Sequence, residues 1–189
     1  MTYCTRNILY HYFCHNSNIL IKIIILFAVK NMSKRPEGTE YATSAKFQRY
    51  LNDVIDELDL KKVQFAEAAG VSTSVIIRAT VYQIVPSIKS LIKIADYLQV
   101  PIMYMFGECE DAHFSPAKAP STFFERLEQL TMESGEKYSA LSHTMSFAHN
   151  AVYEWMRTHS LPSLDFLKQL ADHFSVSVDY LLGRTDDRK

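Results

Sequence analysis

Apolar positions recur at helical spacing along most of the chain, and the pattern occurs twice. Phe47, Leu51, Val54, Ile55 and Leu58 fall every three or four residues, which predicts an amphipathic helix over residues 44–58. A break at 60–62 precedes a short helix over 63–69, with Phe65, Ala66 and Ala69 inward. Gly70-Val71-Ser72 is a tight turn: glycine accepts a positive φ, Val71 faces the core, and Ser72 stands where a helix N-cap belongs. A third helix is expected over 73–81, with Ile76 and Ala79 inward. Pro86-Ser87 opens a fourth, over 87–98, carrying Ile88, Leu91, Ile92, Ala95 and Leu98 inward, and residues 101–106 make a short fifth.

The same order returns 76 positions later. Phe47/Phe123, Leu51/Leu127, Lys61/Lys137, Pro86/Pro162, Leu91/Leu167, Ala95/Ala171, Val100/Val176 and Gly107/Gly183 are identical across this ungapped offset. Helices are therefore expected over 122–133 (Phe124, Leu127 and Leu130 inward), 137–145 (Leu141, Met145), 149–157 (Val152, Trp155), from Pro162-Ser163 onward, and over 178–182. Ser146-Phe147-Ala148 takes the place of the glycine turn. Residues 108–121 hold Pro116 and Pro120 with scattered charges and no period, and read as an exposed linker. Each copy is long enough to close its own core. The expected organisation is a leader over 1–43, a domain over 44–108, a linker over 109–121, a second domain over 122–183, and a tail over 184–189. Five short helices with a tight turn between the second and third is a helix-turn-helix layout.

The first 31 residues differ in composition, being rich in Ile, Asn, Tyr, Phe and Lys. Their apolar run, 19–29, contains Lys22 and is shorter than the roughly 20 residues a spanning helix needs. No small-x-small cleavage site follows Ala28, and Met32 offers a second start. The expectation is a translated leader absent from the native protein, with a membrane-interfacial anchor as the alternative.

Each copy resembles the Cro/phage-repressor (XRE-type) helix-turn-helix family. The first copy carries Phe65-Ala66, Gly70-Val71-Ser72, Ile76 and Pro86-Ser87. The second carries Leu141, Val152, Trp155, Pro162-Ser163 and the run from Val176 through Ser177, Val178, Asp179, Tyr180, Leu181 and Leu182 to Gly183. The resemblance implies an all-α protein of two tandem five-helix lambda-repressor-like domains, acting as a sequence-specific transcriptional regulator, repressor-like, on double-stranded DNA. The chain departs from the family where a Glu and a Gly usually follow the third helix. Thr80 and Tyr82 stand there in one copy, Met156 and Thr158 in the other. The Gln that touches a phosphate at the start of the family's second helix is Lys62 in one copy and Tyr138 in the other.

In that family the third helix enters the major groove. By position in the motif, the DNA-facing residues are then Ser72, Thr73, Ser74, Ile77, Arg78 and Val81 in the first copy. Ala148, His149, Asn150, Tyr153, Glu154 and Arg157 correspond in the second. Asn150 suits adenine, Arg157 suits guanine or a phosphate, and Glu154 must meet cytosine or be held clear of phosphates. The plainer readings stand beside these: His149 as a solvated surface histidine, Asn150 serving its own helix start, and Trp155 as core. Two copies could act as a built-in pseudo-dimer on an asymmetric site, and a homodimer would restore symmetry.

Charge argues in the other direction. The net charge is -1, residues 44–108 hold seven basic and seven acidic residues, and 122–189 hold seven and ten. Non-specific affinity for nucleic acid should be weak and salt-sensitive. The competing expectation is an interaction or dimerisation module that keeps the fold with weak or lost DNA binding. No nucleophile–base set, phosphate-cradling loop or paired metal ligands stand out, so neither enzyme nor cofactor is implied. His143 and His149 lack the second pair that zinc would need. Three cysteines, Cys4, Cys14 and Cys109, suit a reducing cytoplasm better than a disulfide framework.

Overall fold

The computed structural model describes residues 43–189 apart from Pro120. The expectations for the leader, with Cys4 and Cys14, lie outside the described residues. The described chain is all-helical, with ten helices and no strand. Two compact units divide it, one ending at Ile84 and one running from Val85 to Lys189.

In the first unit α1 (Thr43–Glu57), α2 (Lys62–Ala68) and α3 (Thr73–Tyr82) pack together, α3 against both of the others. Phe47, Leu51, Val54 and Ile55 of α1, Phe65 and Ala66 of α2, and Ile76 and Ala79 of α3 are buried, as their spacing predicts. Asp59 closes α1 in the left-handed region (φ 51°), and the Leu60 amide donates back to the Ile55 carbonyl at 3.2 Å. Gln64 reaches back to accept from the Lys61 amide at 2.9 Å, satisfying an orphan donor at the start of α2. Gly70 then turns the chain at φ +66°, and the Val71 amide closes the turn on the Ala66 carbonyl.

The end of α3 is held by α1. Gln48 Nε2 donates to the Thr80 carbonyl at 2.8 Å and to that of Val81 at 3.3 Å, and Asn52 Nδ2 donates to Thr80 at 3.1 Å. Thr80 is buried, and its hydroxyl donates to the Ile76 carbonyl at 2.8 Å. Side-chain amides thus satisfy carbonyls that a helix C-terminus leaves without partners. Asn52→Ala is expected to lower stability by about 1 kcal/mol, the usual net worth of such a bond. Urea denaturation of the wild type and variant checks this, and equal midpoints would show the clamp to be idle.

In the second unit α4 (Ile88–Leu98) and α5 (Ile102–Met105) are followed by α6 (Phe123–Ser134), α7 (Tyr138–Thr144), α8 (Ala151–Thr158), α9 (Leu164–His173) and α10 (Val178–Leu181). On α4 the buried position is Ile94, whereas Ile92, expected inward, is half-buried. A full capping box starts α6: the Glu125 amide donates to Thr122 Oγ1 and the Thr122 amide donates to Glu125 Oε2 at 2.7 Å. Phe123 takes the buried place expected of Phe124, whose half-buried ring instead meets His159 edge-on at 5.0 Å. Trp155 is likewise half-buried, in a cluster with Phe147 and Phe166.

The starts of α7, α9 and α10 fall 76 positions after those of α2, α4 and α5, but α8 begins at Ala151, two residues later than the offset predicts. Without a glycine the turn is made differently. Ser146 donates to Gln169 Oε1 of α9 from both its amide (3.0 Å) and its hydroxyl (2.9 Å), and the Ala151 amide donates to the Ala148 carbonyl.

A buried polar centre ties α4, α5 and α10 together. Asp179 Oδ2 accepts from the Ile102 amide at 3.0 Å, while its other oxygen pairs with Arg184 Nη1. Arg184 also donates to Asp96 Oδ1 at 2.8 Å and to the Val100 carbonyl at 3.2 Å, and its guanidinium lies 4.3 Å from the centroid of the Phe114 ring. Burial raises the Asp179 carboxyl pKa above 3.8, against the opposing pull of Arg184 and the Ile102 amide. The segment expected to be a plain linker is strapped to the tail. The Ala117 amide donates to the Arg184 carbonyl at 2.8 Å and the Lys118 amide to Asp186 Oδ2 at 2.9 Å.

Candidate nucleic-acid interface

The first candidate surface is built on α2, the Gly70 turn and α3. Lys62 is half-buried at the first position of α2, beside exposed Lys61. Ser72 is the N-cap of α3, exposed, and its side chain makes no cap hydrogen bond. Ser74, Ile77 and Arg78 are exposed and Thr73 is half-buried, so the expected face does point outward. Among the described residues Arg78 makes no ion pair. Its neighbours along the helix are apolar: Ile77 is 39% exposed, Val81 52% and Tyr82 66%, with Ile84 exposed just beyond.

The second surface is built on α7 and α8. Tyr138, the first residue of α7, is half-buried, and its ring meets that of Tyr153 edge-on at 5.7 Å. Burial pushes its hydroxyl above the ordinary phenol value, with Glu128 as a lesser cause. Tyr138 thus packs one side of its ring at the start of α7. His149 is exposed, and its ring lies 4.9 Å from that of His143. His149 was expected inside the third helix, but it and Asn150 precede α8, because the turn closes later here than at Gly70. Asn150 is the N-cap, exposed, and makes no side-chain cap bond, so its amide is not spent on the helix start.

Tyr153, Glu154 and Arg157 share the exposed face of α8. Arg157 Nη2 donates to Glu154 Oε2 at 2.6 Å, an i,i+3 pair with both side chains in solvent. This partner lowers the pKa of Glu154 and raises that of Arg157, through the hydrogen bond first and the opposite charge second. The two supporting amides of α1, Gln48 and Asn52, were not legible as site residues. Their one signal is polar side chains flanking the apolar positions of an amphipathic helix.

Residues 51–105 match the Helix-turn-helix family model. That match runs from within α1 to the end of α5, and so takes in the turn at Gly70 and all of α3. It covers the first run of five helices alone. No curated protein and no solved structure matches the chain. Among the described residues no helix is long and apolar enough to cross a membrane, and no group of three or more His, Cys, Asp or Glu is placed to hold a metal ion. Cys109 is a free thiol.

Proposed function

We propose that the chain is a sequence-specific double-stranded DNA-binding transcriptional regulator of repressor-like type, with two tandem helix-turn-helix domains at 44–108 and 122–183. The observation that carries this reading is the helix-turn-helix match over 51–105, whose third helix leaves Ser72, Ser74, Ile77 and Arg78 exposed. The recurrence of α2, α4 and α5 at a fixed offset supports a second domain of the same kind. In this reading Lys62, Ser72, Thr73, Ser74, Ile77 and Arg78 form one DNA surface, and Tyr138, His149, Asn150, Tyr153 and Arg157 the other.

The surroundings of the two arginines differ in polarity, so their contributions should differ too. Arg78 is flanked by exposed apolar side chains, whereas Arg157 lies on a helix whose N-cap amide and neighbouring imidazole are polar. Arg157→Ala is expected to weaken binding to a selected duplex by roughly 10- to 100-fold, and Arg78→Ala by less. Gel-shift titration of both variants checks this, and equal losses contradict it.

A second reading is favoured by Ile77, Val81, Tyr82 and Ile84, which put an apolar surface where a base reader is expected. There the first copy serves a protein contact, a homodimer included, and the second alone meets DNA, or neither does. Retention on random duplex DNA that falls steeply as salt rises supports DNA binding, because neutralised phosphates release counterions. Failure to bind at low salt, with a concentration-dependent dimer, supports the interaction module.

A further inference from the structure

We propose that Glu154 and Arg157 act together as the reader of one G·C base pair in the major groove; the assignment rests on the DNA-binding reading above. A carboxylate on a recognition helix is ordinarily a liability, since it faces phosphates of its own sign. Here the 2.6 Å contact with Arg157 makes the pair neutral as a unit, while 55% and 71% exposure leaves both side chains reachable. The shared contact uses Arg157 Nη2 and Glu154 Oε2 only. No hydrogen bond among the described residues occupies the Nε and Nη1 donors of the guanidinium, or Oε1 of the carboxylate. Thr158 Oγ1 donates to the Glu154 carbonyl at 2.6 Å, one turn on along the same helix.

The pair therefore presents donors from arginine beside an acceptor from glutamate. Across the major groove a G·C pair shows N7 and O6 of guanine as acceptors and then N4 of cytosine as a donor, which is the complementary order. An A·T pair shows N7 as an acceptor, N6 as a donor, and O4 of thymine as an acceptor. Against it a guanidinium donor meets a donor and the carboxylate meets an acceptor. Discrimination thus comes from mismatched polar groups on the wrong pair as well as from contacts to the right one. A lone arginine would tolerate any acceptor-rich edge; the adjoining carboxylate supplies the requirement for cytosine opposite.

Selection from random duplex DNA tests this with the full chain and two surface variants, Glu154→Gln and Arg157→Lys. The wild type should enrich a site in which one base pair is G·C by roughly 10- to 100-fold over A·T. Glu154→Gln should lose that preference at the same position or turn it toward A·T, since a side-chain amide matches N7 and N6 of adenine. Arg157→Lys keeps the charge but not the planar fork, and should lose the preference while the salt dependence of binding stays the same. A wild-type site whose base preferences are unchanged in either variant overturns the pair as reader and leaves DNA binding standing. A wild type that enriches no sequence overturns both.

Discussion

Replacing Arg184 with Ala is expected to destabilise the second unit by about 3–5 kcal/mol, the cost of leaving one member of a buried ion pair behind. Arg184 and Asp179 are almost completely buried, and no water-facing route compensates the carboxylate once the guanidinium is gone. The loss extends beyond one pair. The same side chain bonds Asp96 and the Val100 carbonyl and lies on the Phe114 ring, so α4, α5 and α10 lose their common anchor. The pH dependence has a definite sign. Asp179 holds its proton more tightly in the folded chain than in the unfolded one, where its ordinary value is 3.8. Its contribution therefore favours folding at acid pH and is lost as pH rises through the raised folded value. Removing Arg184 takes away the principal influence lowering that value, so the window widens upward. Urea denaturation should show the largest difference between wild type and Arg184→Ala near neutral pH and a smaller one toward pH 4. A deficit that grows on acidification would mean that Asp179 is not the group left stranded.

Gly183→Ala should be nearly as damaging, and Gly70→Ala much less so, although both residues have similar backbone angles. Their φ values are +73° and +66°. An alanine in the left-handed region costs about 1–2 kcal/mol wherever it stands. At Gly70 that is all, because a Cβ there meets nothing within 4 Å. At Gly183 the Cβ would stand 2.0 Å from the Ser121 carbonyl oxygen and 2.6 Å from its carbon, both backbone atoms. Either residues 121–122, just before α6, must move or the C-terminal turn must open. Adding an overpacking cost of about 1–3 kcal/mol gives roughly 2–5 kcal/mol in all. Thermal denaturation of the two variants side by side checks this, and equal shifts would show that the close approach of residue 121 is unimportant. The comparison also separates the two glycines by role. One allows the turn before α3, and the other allows two distant backbone segments to meet.

The parts of this fold that could be read from the chain are those set by neighbours a few residues away. Ser87 and Ser163 stand at helix starts, and Leu51, Leu91, Leu98 and Leu127 are buried at helical spacing. The start of α8 was misplaced because its turn depends on Gln169, more than twenty positions away, rather than on a local glycine. The centre at Asp179 was invisible for the same reason: Ile102, which donates to Asp179, and Asp96, which accepts from Arg184, lie on other helices, and only Arg184 is near Asp179 in the chain. At the candidate interface, position in the resembled motif put Ser74, Arg78, Tyr153 and Arg157 on the outward face, and all four are exposed. Periodicity gave no sign that Tyr138 would turn its ring against Tyr153, because that contact depends on how α7 and α8 cross.

Gln48 and Asn52 grip α3 only at its far end, by the carbonyls of Thr80 and Val81. The half of the helix up to Arg78 has its buried support in Ile76, with Thr73 and Val75 half-buried, and turns Ser74, Ile77 and Arg78 to solvent. Substitution at those outward positions is therefore nearly free of consequence for folding, since exposed sites away from caps and clamps usually shift stability by no more than about 0.5 kcal/mol. A lineage carrying this helix can rewrite what the front half touches while α1 keeps the rear half in place. Its scope for change in binding and its resistance to unfolding reside in different residues.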